Sequence, residues 1–443
     1  MSASASNMPI VENHPCWTGY TCVVCGRTYP ADYADMVCAD CGIDGILDAT
    51  YDHAAIADGL ARERERSGVP FPPGPASGMW RFAALLPVHP RGDCAAWTLG
   101  ASPLHRARRL AEHLGLRDLI LKDDTHLPSA SLKDRAAAMA IARARQLGVQ
   151  HLACASTGNA AASLAVLCAR ASLSCRIYVP ETAPRAKLAQ LLLHGADVVP
   201  VRGTYDQAFE LSLVEMARHG WYSRNCAHNP LLVEGKKTAT LELLHDLTAG
   251  FTRLDELPDV MFVPVGDGCI VSSTAKALWE LRTVGLIPSL PRVIGVQAAG
   301  AAPLADAWRR HARDAADLTG PEILAAVAPV TPRTLADSIS VGIPRNRVKA
   351  WRYVARTGGA FLAVSDEAIV EAIGLLAAKA GVFAEPSGAA GLAGIKAAQA
   401  AGLLAADERV AVLVTGNGLK DPEAALGSVV LPPAVDPLTG RPV

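Results

Sequence analysis

From Trp97 onward the chain repeats one rhythm: a short apolar run, a loop, then a stretch of helical periodicity. Residues 118–122, 151–155, 176–180 and 197–201 read as strands. Residues 134–147, 159–170, 184–194 and 205–218 read as the helices that follow them. The rhythm returns at 260–265, 272–282, 293–297, 366–380, 387–400 and 410–414. A helix between successive strands returns the chain to the same edge, so the strands run parallel. Parallel strands are covered on both faces. The expectation is therefore an α/β fold with largely parallel sheets. Composition permits it: hydrophobic residues are 50% and charged residues only 19%, enough apolar side chain for a large core. Aromatics are 5%, so that core is built from Ala, Leu and Val. No short internal repeat is seen.

The length of 443 residues, at about 150 per domain, suggests two or three domains. Lys and Arg number 42 against 43 Asp and Glu, a net charge of -1. Such a chain lacks the basic field of a nucleic-acid binder. The apolar run 188–193 is far shorter than the roughly 20 residues of a membrane span. The first fifteen residues lack the basic start and apolar centre of a secretory signal. Cys154 and Cys168 sit inside apolar runs, where a buried thiol is the plain reading, so a reducing, cytoplasmic location is expected.

The first fifty residues form a unit of their own. Cys22, Cys25, Cys38 and Cys41 make two C-x2-C pairs separated by twelve residues. Two such knuckles can close a tetrahedral thiolate shell around a structural zinc ion. Gly26 and Gly42 follow the pairs, where a knuckle needs a permissive backbone. A metal-free remnant and disulfide pairing remain as alternatives. Residues 68–78, with four prolines, read as an extended connector.

Parallel sheets bind ligands beyond the carboxyl ends of their strands, and four loops there are unusual. Ser156-Thr157-Gly158-Asn159 offers two hydroxyls and an amide at a helix start; simple N-capping would also explain it. Gly266-Asp267-Gly268-Cys269 lets backbone approach a phosphate, or is an ordinary turn. Ser131-Leu132-Lys133-Asp134-Arg135 puts a lysine at a helix N-terminus, where the dipole opposes a cation. A solvated lysine or one used in a Schiff base both fit. Thr415-Gly416-Asn417-Gly418 presents a hydroxyl after the last strand.

Taken in this order, and with Leu99-Gly100-Ala101-Ser102-Pro103-Leu104, Glu234-Gly235-Lys236-Lys237-Thr238 and Glu385-Pro386-Ser387-Gly388, the chain resembles the threonine synthase-like branch of the fold-type II pyridoxal-phosphate enzymes. The resemblance runs from about Trp80 to Pro422 and is carried most by the Ser-x-Lys-Asp-Arg and Thr-Gly-Asn-Gly motifs. It implies two doubly wound open-sheet domains around a cofactor cleft: a large one from 51–130 and 240–443, and a small one from 131–239, beside the zinc-ribbon-like segment 1–50. It implies pyridoxal 5'-phosphate held covalently by Lys133, with Asn159 on the pyridine 3-oxygen. Gly266, Asp267, Gly268 and Cys269 would hold the phosphate, and Thr415 would face the ring nitrogen. Ser156 and Thr157 would take the substrate carboxylate. A homodimer acting on a small amino-acid substrate follows from the same likeness.

The implied activity is elimination or replacement at a β- or γ-leaving group. O-phosphohomoserine and water giving threonine and phosphate is the first expectation. A related replacement enzyme such as a cysteate synthase-like one, a threonine or serine dehydratase or ammonia-lyase, and a non-catalytic binding module of this fold are the alternatives. Departures from the family pattern bear on the choice. Leu132 stands where Phe is usual and Ala136 where Gly is usual. Asp267 puts a carboxylate into the phosphate loop. Leu232 replaces an arginine and Ile343 an asparagine. Arg345 is the nearby cation expected to compensate, unless it is an exposed loop arginine. Arg135 is expected to serve a substrate phosphate or to pair with Asp134 or Glu234.

Overall fold

The computed structural model describes residues 10–73, 78–91, 99–183, 185–427 and 429–439. Two open sheets carry the fold. The larger has six strands in the order Ala360–Val364, Arg292–Ala298, Val260–Pro264, Arg409–Val414, Asp118–Asp123 and Leu104–Arg106. All its neighbours are parallel except the last pair. The smaller has Asp197–Val201, Ser174–Pro180, His151–Ala155 and Tyr222–Ser223, all parallel. Every residue of the strand Val260–Pro264 is buried, as a strand covered on both faces requires. Helix Pro386–Ala400 lies flat on the large sheet because Gly394 has no Cβ; one there would overlap Val296.

The strands and helices expected from periodicity are present within a few residues. The segment 366–380 differs: its helix Asp366–Leu375 passes into a π-helical turn, Leu376–Ala380, closed by Gly381 at φ +69°. Helix Leu231–Leu247 has no clear 3.6-residue polarity, since all but two of its residues are buried, and it runs unbroken through the expected domain junction at 239–240. The predicted connector 68–78 is less free than expected. Gly68 closes helix His53–Ser67, and Phe71 is buried against Phe82 and Phe251 at ring distances of 5.1 and 5.9 Å. Residues 74–77 of that segment lie outside the described residues.

The N-terminal segment folds as a four-stranded antiparallel sheet, ordered Thr28–Tyr29, Trp17–Cys22, Gly42–Tyr51 and Val37–Cys38. Gly26 and Gly42 adopt φ +79° and +57°, as the knuckles demand. The strand Gly42–Tyr51 reaches onto the helices of the α/β body. Asp48 accepts from Lys276 at 2.8 Å, Lys349 at 3.1 Å and the Tyr353 hydroxyl at 2.8 Å. Tyr51 donates to Glu234 at 2.7 Å, and Glu234 also binds Lys237 and Lys276.

Arg135 is fully buried and bound to Asp124 at 2.8 Å and Glu242 at 2.7 Å. It is therefore a core ion pair and faces no ligand. Its expected partners differ too: Asp134 is held by Ser129, and Glu234 by the lysines above. The described cysteines are all free. No described helix is long and apolar enough to cross a membrane.

Candidate active site

Three loops meet at the carboxyl ends of the strands. Leu132 N–H donates to the Thr415 carbonyl at 2.9 Å, and Asn417 N–H to the Ala130 carbonyl at 3.0 Å. The lysine turn is thereby stitched to the Thr-Gly-Asn-Gly turn. Lys133 is the first residue of helix Lys133–Gln146 and opens into a cavity. Burial pushes its ammonium below the usual lysine range; Cys226 opposes this, while the cations Lys236 and Arg224 add to it. An amine lowered this way is more readily the free nucleophile.

Asn159, Gly266, Asp267, Gly268, Cys269 and Thr415 line the same cavity. Seven predicted residues thus converge on one space. Thr157 lines an adjoining outer cavity that shares Asn159, Ser338, Glu385 and Ser387 with the first. Ser156 lines neither; its Oγ accepts from Gly158 N–H at 3.2 Å. Neither hydroxyl caps helix Asn159–Ala171, whose N-cap is Gly158 with no side-chain bond. Arg345 is not brought to either cavity. It bonds Asp206 at 3.2 Å with its guanidinium 4.2 Å from the Phe209 ring centre. Leu232 is fully buried in the main core, and Ile343 is exposed.

The glycine loop is shaped for an anion. Gly268 sits at φ +86°, where a Cβ would meet Ala350 at 2.9 Å; one on Gly266 would meet Ile339 Cα at 3.1 Å. Helix Cys269–Thr283 follows with no side-chain cap, so its first-turn amides are open. Asn346 fixes the loop from behind, its N–H on the Asp267 carbonyl at 3.0 Å and its side chain on the Gly268 carbonyl at 3.3 Å. Asp267 Oδ1 is buried with no hydrogen-bond partner among the described residues. An uncapped helix start behind glycines that admit no side chain, facing a lysine of lowered pKa, fits an aldehyde cofactor with a phosphate tail.

The sequence reading missed several residues here. Asn159 Nδ2 donates to Glu385 Oε1 at 2.7 Å and to Ser338 Oγ at 3.2 Å. Burial pushes the Glu385 carboxyl up, against the lowering influence of Lys420, Asn159 and Lys133. Glu385 lies in the Glu-Pro-Ser-Gly motif, so the signal existed without a role attached. Ser338 carried none. Lys187 and Lys420 line the outer cavity; Lys187 pairs with Asp337 at 2.5 Å, and burial pushes the Lys420 ammonium down.

At the other end of the chain, the ligand atoms of Cys22, Cys25, Cys38 and Cys41 lie within 4.8 Å of one another. Gly45 leaves room for them, since a Cβ there would meet the Cβ atoms of Cys38 and Cys41 at 2.6 Å. Tyr29 OH points at Cys38 Sγ from 3.1 Å. The arrangement is compatible with a tetrahedral thiolate metal site.

Comparison with known proteins bears on the same residues. The family model described as pyridoxal-phosphate dependent enzyme matches residues 98–416. The threonine synthase of Methanocaldococcus jannaschii is 36% identical over 406 residues, covering 91% of this chain and 93% of that one. The threonine synthase of Methanosarcina acetivorans is 32% identical over 417 residues, 94% and 95% of the two chains. Among solved structures, the T.th. threonine deaminase superposes with TM-score 0.58 at 26% identity, covering 73% of this chain and 96% of that one. Maize serine racemase superposes with TM-score 0.59 at 20% identity, over 72% and 90%, a likeness of fold alone. With the family match spanning most of the sequence and such relatives covering nearly all of it, the chain belongs to the pyridoxal-phosphate dependent enzymes, in their threonine synthase-like branch, and is a lyase or synthase of that family.

Proposed function

We propose that this enzyme converts O-phosphohomoserine and water to threonine and phosphate. The observation that carries the reading is the outer cavity, where Lys187 and Lys420 stand next to Thr157 and Asn159 and open onto the Lys133 cavity. Two lysines lining a cavity that adjoins the reacting lysine, one of them paired with Asp337, suit a substrate whose leaving group is an anion. The extent of the likeness to threonine synthases supports the same substrate.

Bound pyridoxal phosphate supplies an electron sink conjugated to the substrate's α-carbon. In this reading Lys133 holds the cofactor and its Nζ then moves protons at the substrate's carbons. Asn159, steadied by Glu385 and Ser338, orients the ring oxygen. The Thr415 hydroxyl, which lines the Lys133 cavity, would serve the ring nitrogen, where a neutral group would temper the sink and favour elimination over transamination. Thr157, which lines the outer cavity, would take the substrate carboxylate.

A second reading has one observation of its own. Leu232 supplies no cation, and Arg345 lies elsewhere, so a different phosphorylated or hydroxylated amino acid could be the better substrate of a replacement reaction. Mass spectrometry of products from O-phosphohomoserine, O-phosphoserine, serine and threonine, each with and without sulfite, separates the readings. Threonine from O-phosphohomoserine is expected, at kcat/KM of about 10⁴ M⁻¹s⁻¹ or more, within the ordinary enzyme range. Faster turnover of O-phosphoserine with sulfite would favour the second reading. Keto acid and ammonia from threonine or serine as the main products would refute both.

The four-cysteine cluster is read as a structural zinc site, because four thiolates leave no open position for water. Protein purified without chelator is expected to hold one zinc per chain. Protein without stoichiometric metal, whose four thiols all alkylate freely, would remove the assignment.

A further inference from the structure

We propose that Arg224 and Lys236 are the charge complement of the cofactor's phosphate, and that their presence is what permits an aspartate in the phosphate loop. The inference rests on pyridoxal phosphate occupying the Lys133 cavity. Both cations are essentially inaccessible, at 0% and 1% exposure. Neither forms an ion pair with a carboxylate among the described residues, which sets them apart from the buried cations Arg135 and Lys237, each bound to two acids, and Lys276, bound to three. Instead they converge on one thiol. Arg224 Nη1 lies 3.3 Å and Lys236 Nζ 3.6 Å from Cys226 Sγ. Arg224 also holds the Lys133 carbonyl at 3.2 Å, and its Nε is buried with no partner.

Two buried cations without an acid are costly, and a thiol is a weak partner for them. Cys226 lines the Lys133 cavity together with the glycine loop, so the unbalanced charge stands at the wall of the phosphate cradle. Burial pushes the Cys226 thiol up, yet Lys236, Arg224 and Lys133 outweigh it and hold it at about 6. Even as a thiolate, Cys226 would offset only one of the two cations. Asp267 Oδ1, on the same cavity, has no donor among the described residues. A phosphate near its dianion would be repelled by the Asp267 carboxylate, and a loop of neutral amides alone would not offset that. Arg224 and Lys236 beyond Cys226, and the positive end of helix Cys269–Thr283, offset part of that repulsion.

The test titrates the apoenzyme with pyridoxal phosphate and, separately, with pyridoxal, which lacks the phosphate. In Lys236→Met and Arg224→Met the dissociation constant for pyridoxal phosphate is expected to rise by about ten- to a hundredfold, the range of a lost charge-assisted bond. The constant for pyridoxal is expected to stay close to that of the parent. In Asp267→Asn, binding of pyridoxal phosphate should tighten relative to pyridoxal. Equal loss for both ligands would mean a merely structural role and would overturn the proposal. So would an unchanged constant for pyridoxal phosphate with a raised KM for O-phosphohomoserine, which would assign the cations to the substrate's phosphate. Should the methionine variants fail to fold, Asp267→Asn still decides, because an unchanged ratio of the two ligands overturns the charge argument. A parent apoenzyme that binds neither ligand would refute the cofactor site itself, a different failure from parent binding with unaffected variants.

Discussion

Lys133→Ala is expected to lower turnover at least about 10³-fold while leaving the fold intact. The size follows from removing both the covalent anchor and a proton-transfer group, the latter alone worth about 10²- to 10⁴-fold. Stability should change little, because the contacts that fix residue 133 are made by its backbone. Arg224 holds its carbonyl, and Leu132 is tied to Thr415 by a main-chain bond. Its ammonium forms no ion pair among the described residues, so truncation strands no buried acid. Borohydride reduction followed by peptide mass spectrometry should find the pyridoxyl group on Lys133 in the parent and none in the variant. An alanine variant with unaltered turnover would end the assignment.

The second large effect is on stability. Asp48→Ala is expected to cost about 3–5 kcal/mol, the range for removing one partner from a buried ion pair. Asp48 stands between Lys276 and Lys349, both essentially inaccessible, and also accepts from Tyr353. Without it, two buried ammonium groups would share fewer acids. Asp48→Asn, which keeps some of the hydrogen bonds, should cost less. The variant should also loosen the ribbon, because Asp48 is one of its polar anchors on the helices Cys269–Thr283 and Arg347–Arg356, beside Asp44 on Arg347 and the Leu47 and Ala49 carbonyls on Lys349 and Lys276. Denaturant unfolding and limited proteolysis after residue 51 measure the two consequences. A loss below about 1 kcal/mol would place the contact with ordinary surface pairs and refute the argument.

The pH dependence of this contribution has a definite sign. Burial pushes the Asp48 carboxyl up, but Lys276 and Lys349 outweigh it and hold it well below the usual carboxylate range. Its stabilisation is therefore complete above the unfolded value of about 3.9 and is lost as pH falls through the depressed folded value. The difference between parent and Asp48→Ala should be full at neutral pH and shrink in acid.

Much of this protein was written locally. The β/α rhythm determined parallel sheets, because a crossover helix leaves two strands no other relation. Lys133, Asn159, Gly266–Cys269 and Thr415 could be picked out as a group because each follows a strand, and strand ends meet on one side of such a sheet. The cysteine knuckles were equally legible, since spacing and the two glycines are properties of the chain alone. Charge partnerships were not. Arg135 looked free to meet a ligand or its sequence neighbours, yet it is bound to Asp124 and Glu242, which lie 11 and 107 residues away. Arg345 looked like a substrate ligand and turned to Asp206 and Phe209. Arg224, Lys236 and Cys226 carried no signal, because an unpaired cation is recognisable only when the acids that could have reached it are seen to be elsewhere. Periodicity and turn chemistry act over a few residues and survive in the sequence; the pairing of buried charges is settled by distances between segments, which only the folded chain creates.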